Sequence, residues 1–481
     1  MKYDIIIIGS GLGGLTAGAK LAREGKKVLV LERHDRPGGY ATTFQRGEFT
    51  IEVGLHEMYG PAPGDIKSRI FSDLEVFREV TFLPLPDFYR FVNGRVDVCI
   101  PHDPSLAKER LSAIFPDEIE GINAYFGQLL KPKNKNAEAD QADISLGEFL
   151  DSNIRNEDLK LVLLGNLGYY HDDPYQLSLA YYTISQGKFF SGGASYIKGG
   201  SQKLSDHLAS YIRNKGGEVM LNHEVTAILT ESHTVSGVRF INLKKDKAET
   251  FEAFADEIIC NNAMPAAAEL LPEPFRDAIR QAVSSQQSGI SLLSLYLGFN
   301  RKPEELGHRH YSTFVYDEEI RTTKDILPNT KNGFEKRIYT FIDYGQINSC
   351  LAPAGKSTGV ICTIDALSAW ENLNEADYRK KKEEVAKTLI ARLEKLIPGI
   401  SECITYYELG TPRTLKRYTL NPGGAVYGFA QTPAHPATDT SALPKNLHFA
   451  SAWGKTGGGF SGAIYSGYLC ATNLMRKKKV E

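Results

Sequence analysis

The pattern of apolar and polar positions divides the chain into blocks of different texture. Lys2 to Ile8 is a short apolar run and predicts a buried strand. A glycine turn follows, Gly9-Ser10-Gly11-Leu12-Gly13-Gly14, then a stretch with helical periodicity, then Lys27-Val28-Leu29-Val30-Leu31-Glu32. The order is strand, turn, helix, strand, acid. Further along, the pattern predicts a helix from Gln202 to Lys215 and strands at Glu218 to Leu221, Val225 to Leu229 and Asp256 to Asn261. Leu447 to Ala450 predicts a last strand feeding a closing helix.

Two segments lie between these blocks. Residues 81–194 are rich in aromatics, with helical stretches around Pro104 to Phe115 and Ser145 to Leu164. Residues 286–435 carry strand-like runs at Ser291 to Phe299, Ile338 to Ile342 and Gly359 to Ile364, then a long charged helix, Glu375 to Leu396. The expected architecture is α/β. A discontinuous nucleotide domain (residues 1–80, 195–285 and 440–481) carries a second α+β domain (81–194 and 286–439) inserted twice. Lys131 to Asp143 is the most polar stretch and is expected to be a solvated loop.

The first block carries the clearest chemistry. Gly9, Gly11 and Gly14 form G-x-G-x-x-G between a strand and a helix, and Glu32 lies 18 residues past the last glycine. That is the dinucleotide-binding arrangement in its full context. The glycines permit a tight turn and close backbone approach, and the helix N-terminus offers N–H groups to a pyrophosphate. Leu12 and Gly13 belong to the same turn, and Glu32 is suited to accept hydrogen bonds from a ribose diol. Gly38 and Gly39, flanked by Arg36 and by Tyr40 and Ala41, predict a second close approach of backbone to the cofactor. Val225, beside Glu224, is placed to present its backbone to an adenine edge, and Asn262 ends a strand near the pyrophosphate. The run Trp453-Gly454-Lys455-Thr456-Gly457-Gly458-Gly459-Phe460-Ser461-Gly462-Ala463 leads from a strand into a helix. Its small residues let a flat ligand come close.

Composition narrows the class. With 481 residues, 42% hydrophobic and 24% charged, the chain is globular and large enough for two domains. A formal net charge of -2 argues against a nucleic-acid partner. The six cysteines form no C-x-x-C pair and no metal-type spacing with histidine, so no metal is expected and the thiols are read as buried and reduced. No apolar run reaches the ~18 residues of a spanning helix. With the first strand starting at residue 2, a cytoplasmic protein is expected, with at most peripheral membrane contact.

The turn at the N-terminus, the Arg36-Pro37-Gly38-Gly39 step, the segment Val53 to Gly60, Tyr196 to Leu204, Thr411 to Gly428 and the ending Gly454 to Gly467 together resemble the phytoene-desaturase-related flavoproteins. That group contains carotenoid desaturases, carotenoid isomerases and retinol saturases, and the likeness runs through the whole chain in order. The resemblance implies a Rossmann-like FAD domain of glutathione-reductase or amine-oxidase type and an elongated tunnel for an apolar, often polyene, substrate. It implies that Gly9, Gly11, Gly14, Glu32, Arg33, Gly38 and Gly39 hold the ADP half of FAD and that Val225 contacts adenine. Gly457 to Gly459, Ser461, Gly462 and Ala463 would surround the flavin end.

The cofactor would carry the hydride chemistry, so the absence of a nucleophile–base pair is no objection. His56, Tyr59, Tyr427 and Lys455 are the candidate proton donors. Arg413, Lys416 and Arg417 form a basic group able to hold a carboxylate head, although a solvated edge explains them as well. Electrons are expected to come from or go to a transient partner. Two other readings share the domain plan: an FAD amine oxidase, with Trp453 and Tyr427 as part of an aromatic cage, and a non-enzymatic lipid escort protein.

Overall fold

The computed structural model describes residues 2–131, 143–244, 249–433, 438–454 and 456–477. The N-terminal pattern forms the middle of a seven-stranded sheet. β1 (Lys2–Ile8) pairs in parallel with β2 (Val28–Glu32) on one side and with Thr250–Cys260 on the other. Ile5, Ile6 and Ile7 are all buried, because a parallel strand is covered on both faces and alternation disappears. Glu218–Leu221 extends the sheet past β2, and Leu447–Phe449 pairs with Thr250–Cys260. The remaining two strands, His223–Glu231 and Thr234–Asn242, run antiparallel.

α1 (Leu12–Arg23) packs beside the closing helix Gly459–Lys477. Gly467 makes this possible, since a Cβ there would stand 2.1 Å from the Gly13 carbonyl oxygen. The two backbones therefore touch, which fixes the C-terminal helix against the nucleotide turn.

A second seven-stranded sheet runs in the order Ile404–Gly410, Leu292–Phe299, Ser357–Ile364, Tyr339–Asp343, Ser312–Val315, Tyr89–Val92, Asp97–Ile100. The helix Glu375–Leu396 buries Val385, Leu389 and Leu393, a four-residue spacing that puts one apolar stripe in the same core as Leu293, Leu295 and Trp370. A small sheet of Met58–Tyr59, Ala194–Ile197 and Phe82–Pro84 adds a third layer of pairing.

Several details differ from the sequence expectation. The helical stretch of Ser145 to Leu164 is two helices, Leu146–Asn153 and Glu157–Leu163. Asn156 separates them and caps the second, its Oδ1 accepting from the Leu159 N–H at 3.0 Å. The aromatic block also contributes strands to the second sheet, because short strands of four residues are too brief for periodicity to reveal. No disulfide is present among the described residues. Cys260, Cys362 and Cys403 are buried, whereas Cys350 is exposed and Cys99 and Cys470 are half-buried, so the thiols are not uniformly interior. No helix among the described residues is long and apolar enough to cross a membrane. Most of the polar stretch Lys131 to Asp143 lies outside the described residues.

Candidate active site

A cavity of about 620 Å³ opens where β1, β2 and Thr250–Cys260 end, the position at which open α/β sheets bind ligands. Gly9, Gly11, Leu12 and Gly13 form its floor, Glu32, Arg33 and Val225 one end, and Gly38, Gly39, Tyr40, Ala41 and Asn262 further wall. Trp453, Gly459 and Ala463 line it from the C-terminal segment. Gly14 is not on this surface. A Cβ at Gly14 would come within 2.4 Å of the Gly9 carbonyl oxygen, and its N–H donates to Asn261 Oδ1 at 2.8 Å. It therefore closes the turn beneath the cavity.

Glu32 is buried and already engaged. Its Oε2 accepts from the Ser10 N–H at 2.8 Å and from Ser10 Oγ at 2.7 Å, and its Oε1 accepts from the His34 N–H at 2.9 Å. These bonds tie the glycine turn to the end of β2 and leave lone pairs for a ribose hydroxyl. Arg33 Nη1 and Asn262 Oδ1 are buried without a protein partner, and both residues line the cavity. An unpaired guanidinium nitrogen matches a phosphate or ribose oxygen, and an amide that turns over offers a donor in place of an acceptor. The long cavity, the crowded glycine turn and these orphaned groups fit an extended dinucleotide such as FAD.

The deep end of this cavity meets a second one of about 400 Å³. Gly54, His56, Tyr427, Gly459 and Phe460 belong to both. The second cavity is walled by Tyr59, Tyr169, Tyr170, Tyr181, Ile184 and Phe189. Gly458, Ser461 and Gly462 line it and not the first cavity. Gly458 packs on the Tyr427 backbone, where a Cβ would meet its oxygen at 2.2 Å.

The segment between the cavities is held by one buried carboxylate. Glu52 accepts from the Ser201 N–H at 2.7 Å, Ser201 Oγ at 2.6 Å, Tyr196 OH at 3.0 Å and the N–H groups of Leu55 at 3.2 Å and Gly54 at 3.3 Å. Burial pushes its pKa up, and the donors pull against that. Ser201 stands at the N-cap of Gln202–Asn214 but makes no cap bond, because its hydroxyl serves Glu52 instead. This network joins two motifs about 150 residues apart in sequence and sets the path of Gly54 to His56.

Of the four candidate proton donors, Lys455 lies outside the described residues. His56 sits between Tyr169, whose OH is 3.2 Å from Nδ1, and Cys362, whose Sγ is 3.4 Å from Nε2. Burial pushes the imidazole down to about 4, so it is neutral at physiological pH. It is a hydrogen-bonding wall element and a poor store of protons. Tyr427 lines both cavities, and burial holds its phenol protonated. Tyr59 packs against two lysines, Lys67 Nζ at 3.9 Å and Lys188 Nζ at 4.6 Å from its ring centroid.

Three important residues escaped the sequence reading. Glu57 lines the second cavity, and both its carboxyl oxygens are buried with no hydrogen-bond partner. Burial pushes it up to about 8, so it is uncharged at neutral pH. Lys67 is buried, donates to Ser461 Oγ at 3.0 Å and to the Tyr59 carbonyl, and is pushed down to about 7 by burial, with Asp65 opposing and Lys188 adding to the shift. Lys188 lines the second cavity. Sequence alone treats such charges as solvated, and for Glu57 and Lys67 only the packing reverses that.

Two other expectations change. Trp453 packs edge-on to Phe429, with centroids 4.9 Å apart, and lines only the first cavity, so it is no part of a cage around a substrate. Arg413 is paired with Glu375, stacks 4.5 Å from the Tyr378 ring centroid and donates to the Leu373 carbonyl, so it is not held in reserve for a carboxylate. Among the described residues, Asp87, Cys99 and His310 bring ligand-type atoms within 4.8 Å of one another, but Arg90 and Arg110 add positive charge beside them, which works against a cation.

The fold and the cavity over the glycine turn define a dinucleotide-binding protein. The family model for flavin containing amine oxidoreductases matches residues 12–475, and the chain belongs to that family. It is 29% identical over 466 residues to a chloroplastic prolycopene isomerase of Arabidopsis thaliana, covering 89% of this chain and 74% of the relative. It is 26% identical to an all-trans-retinol 13,14-reductase of Danio rerio (88% and 77% covered). It is 25% identical to a neurosporene-forming phytoene desaturase of Rhodobacter capsulatus (99% and 94% covered). An oxidoreductase structure from Methanosarcina mazei superposes with a TM-score of 0.67 over 99% of this chain and 100% of that one at 17% identity, which shows the fold. The chain is thus a member of a flavin-dependent oxidoreductase family, and the relatives it resembles at 25–29% identity include a carotenoid isomerase, a carotenoid desaturase and a retinol reductase.

Proposed function

We propose that the protein acts on a carbon–carbon double bond of an apolar polyene or isoprenoid lipid, by saturation, desaturation or cis–trans isomerisation. The observation that carries this reading is the tyrosine-lined cavity meeting the cofactor cavity at Gly54, His56, Tyr427, Gly459 and Phe460. FAD, when bound, supplies the hydride chemistry. The chain's part is to hold the lipid against that junction, to exclude water with aromatic rings, and to keep the wall electrically quiet through a neutral His56 and an uncharged Glu57. Glu57 and the buried phenols hold protons next to the substrate. Electrons enter or leave through a transient partner, and peripheral contact with a membrane gives an apolar substrate its route.

The test is to reduce the FAD-loaded protein anaerobically and mix it with carotenoids, retinoids and unsaturated fatty acids, following the flavin band and the product masses. Flavin reoxidation with a product heavier by two hydrogens establishes a saturase. An unchanged flavin with an isomer of equal mass establishes a redox-neutral isomerase. A second reading, amine oxidation, is favoured by the tyrosines around the unpartnered Glu57 carboxyl, which would accept an ammonium group. Bleaching of oxidised flavin by amines with peroxide release, and no response to any polyene, would establish it and overturn the lipid reading.

A further inference from the structure

The lipid reading leaves the shape and polarity of the substrate open, and the second cavity speaks to both. Lys188 is the one ammonium among its described lining residues. It lies on the helix Leu179–Gly192, whose face toward the cavity is Tyr181, Ile184, Ser185, Lys188 and Phe189. Tyr181 is next to the glycine-rich turn, since a Cβ at Gly457 would stand 2.6 Å from its ring. Seven residues along a helix are about 10 Å, so Lys188 sits roughly that far down the cavity wall from the turn.

The surroundings favour an anion beside it. Lys188 Nζ donates to Tyr59 OH at 3.3 Å and approaches Asp65 Oδ1 at 3.7 Å, which leaves donor capacity unused on a group with three protons. Lys67 stands behind the same tyrosine ring. Asp65 offsets one positive charge and does not line the cavity. The acid on the wall, Glu57, is uncharged at neutral pH because burial pushes it up, and His56 is neutral for the same reason. Among its described residues the cavity wall therefore carries one ammonium, Lys188, with Asp65 outside the wall as its acidic neighbour, and an otherwise neutral aromatic body.

Size points the same way. A volume of about 400 Å³ corresponds to roughly a dozen water volumes, which suits a chain of intermediate length better than a long hydrocarbon held whole. We propose that the substrate is an amphipathic isoprenoid with a terminal carboxylate, its head held by Lys188 and Tyr59 and its unsaturated tail lying along the tyrosines toward Tyr427. This rests on the lipid reading and sharpens it.

The test compares three ligands of one skeleton, retinoic acid, its methyl ester and retinol, titrated into the oxidised FAD-loaded protein with the flavin difference spectrum as readout. The acid is expected to bind at least 10-fold tighter than the ester. Lys188→Met should remove that preference while leaving ester and retinol binding unchanged, and Lys188→Arg should retain it. Equal binding of acid and ester by the wild type, or an acid preference that survives Lys188→Met, would overturn the carboxylate proposal and leave the lipid reading standing. Failure of all three ligands to bind would overturn both.

Discussion

The two cavities share a wall and differ in how the chain builds them. The cofactor cavity is built on one contiguous strand, turn, helix and strand, Lys2 to Glu32, whose acid and glycines are spaced by local backbone geometry, and distant residues such as Tyr40, Val225, Asn262 and Trp453 complete its wall. The tyrosine cavity is assembled from Gly54 to Tyr59, Tyr169 to Phe189, Tyr427 and Thr456 to Tyr465, which meet only in the folded state. The first has a local sequence motif at its base, and the second has none. Cofactor binding is therefore sensitive to backbone crowding, whereas ligand choice is sensitive to charge and volume.

The largest expected effect breaks the first cavity alone. A Cβ at Gly13 would lie 2.2 Å from the Ala450 carbonyl oxygen, a backbone atom with no room to move. Gly13→Val should yield protein without bound flavin, visible as loss of the flavin absorbance band. Next in size is the hinge between the cavities. Glu52→Ala leaves the Ser201 N–H, Leu55 N–H and Tyr196 hydroxyl without their acceptor, at a cost of about 1–3 kcal/mol for each buried donor. A fall in Tm well beyond that of an exposed substitution is expected by calorimetry.

The third prediction concerns the tyrosine cavity through pH. Burial raises the Glu57 carboxyl from 4.5 to about 8 in the folded protein. Between those values the folded state holds a proton the unfolded state has lost, so its contribution to stability falls as pH rises and levels off above about 8. Glu57→Gln removes this term. The variant should match the wild type below pH 4.5 and exceed it by a few kcal/mol, on the order expected for a shift of this size, in alkaline solution. Denaturant melts across that range read it directly, and a constant difference at every pH would contradict the burial of that carboxyl. The smallest effect is Tyr169→Phe, which deletes one hydrogen bond to His56. A loss of about 1 kcal/mol in stability with flavin retained would keep the two cavities energetically separate.

The same contrast explains what the sequence disclosed. Strand and helix around Gly9 to Gly14 follow from a short apolar run, a glycine spacing and helical periodicity, all of which are local. The helix Glu375–Leu396 was likewise legible, because its charges and its Val385, Leu389 and Leu393 stripe repeat along one segment. Glu57 was hidden in plain view beside His56. Nothing in its neighbours states that its carboxyl is shut away from water. The burial of Lys67 and the stacking of Lys67 and Lys188 on Tyr59 emerge only from tertiary contact. Gly458 and Gly462 are small residues where a Cβ would collide with backbone, and which cavity they line depends on where the last helix lies against α1.

The most direct test of the shared-chamber account is to fill the tyrosine cavity and watch the flavin. Ser185 lines that cavity and not the cofactor cavity. In the oxidised holoprotein, retinol should perturb the flavin absorbance band, and Ser185→Trp should abolish the perturbation while flavin content stays at that of the wild type. An undiminished perturbation in Ser185→Trp would contradict the account, because the ligand would then be reaching the flavin by another route.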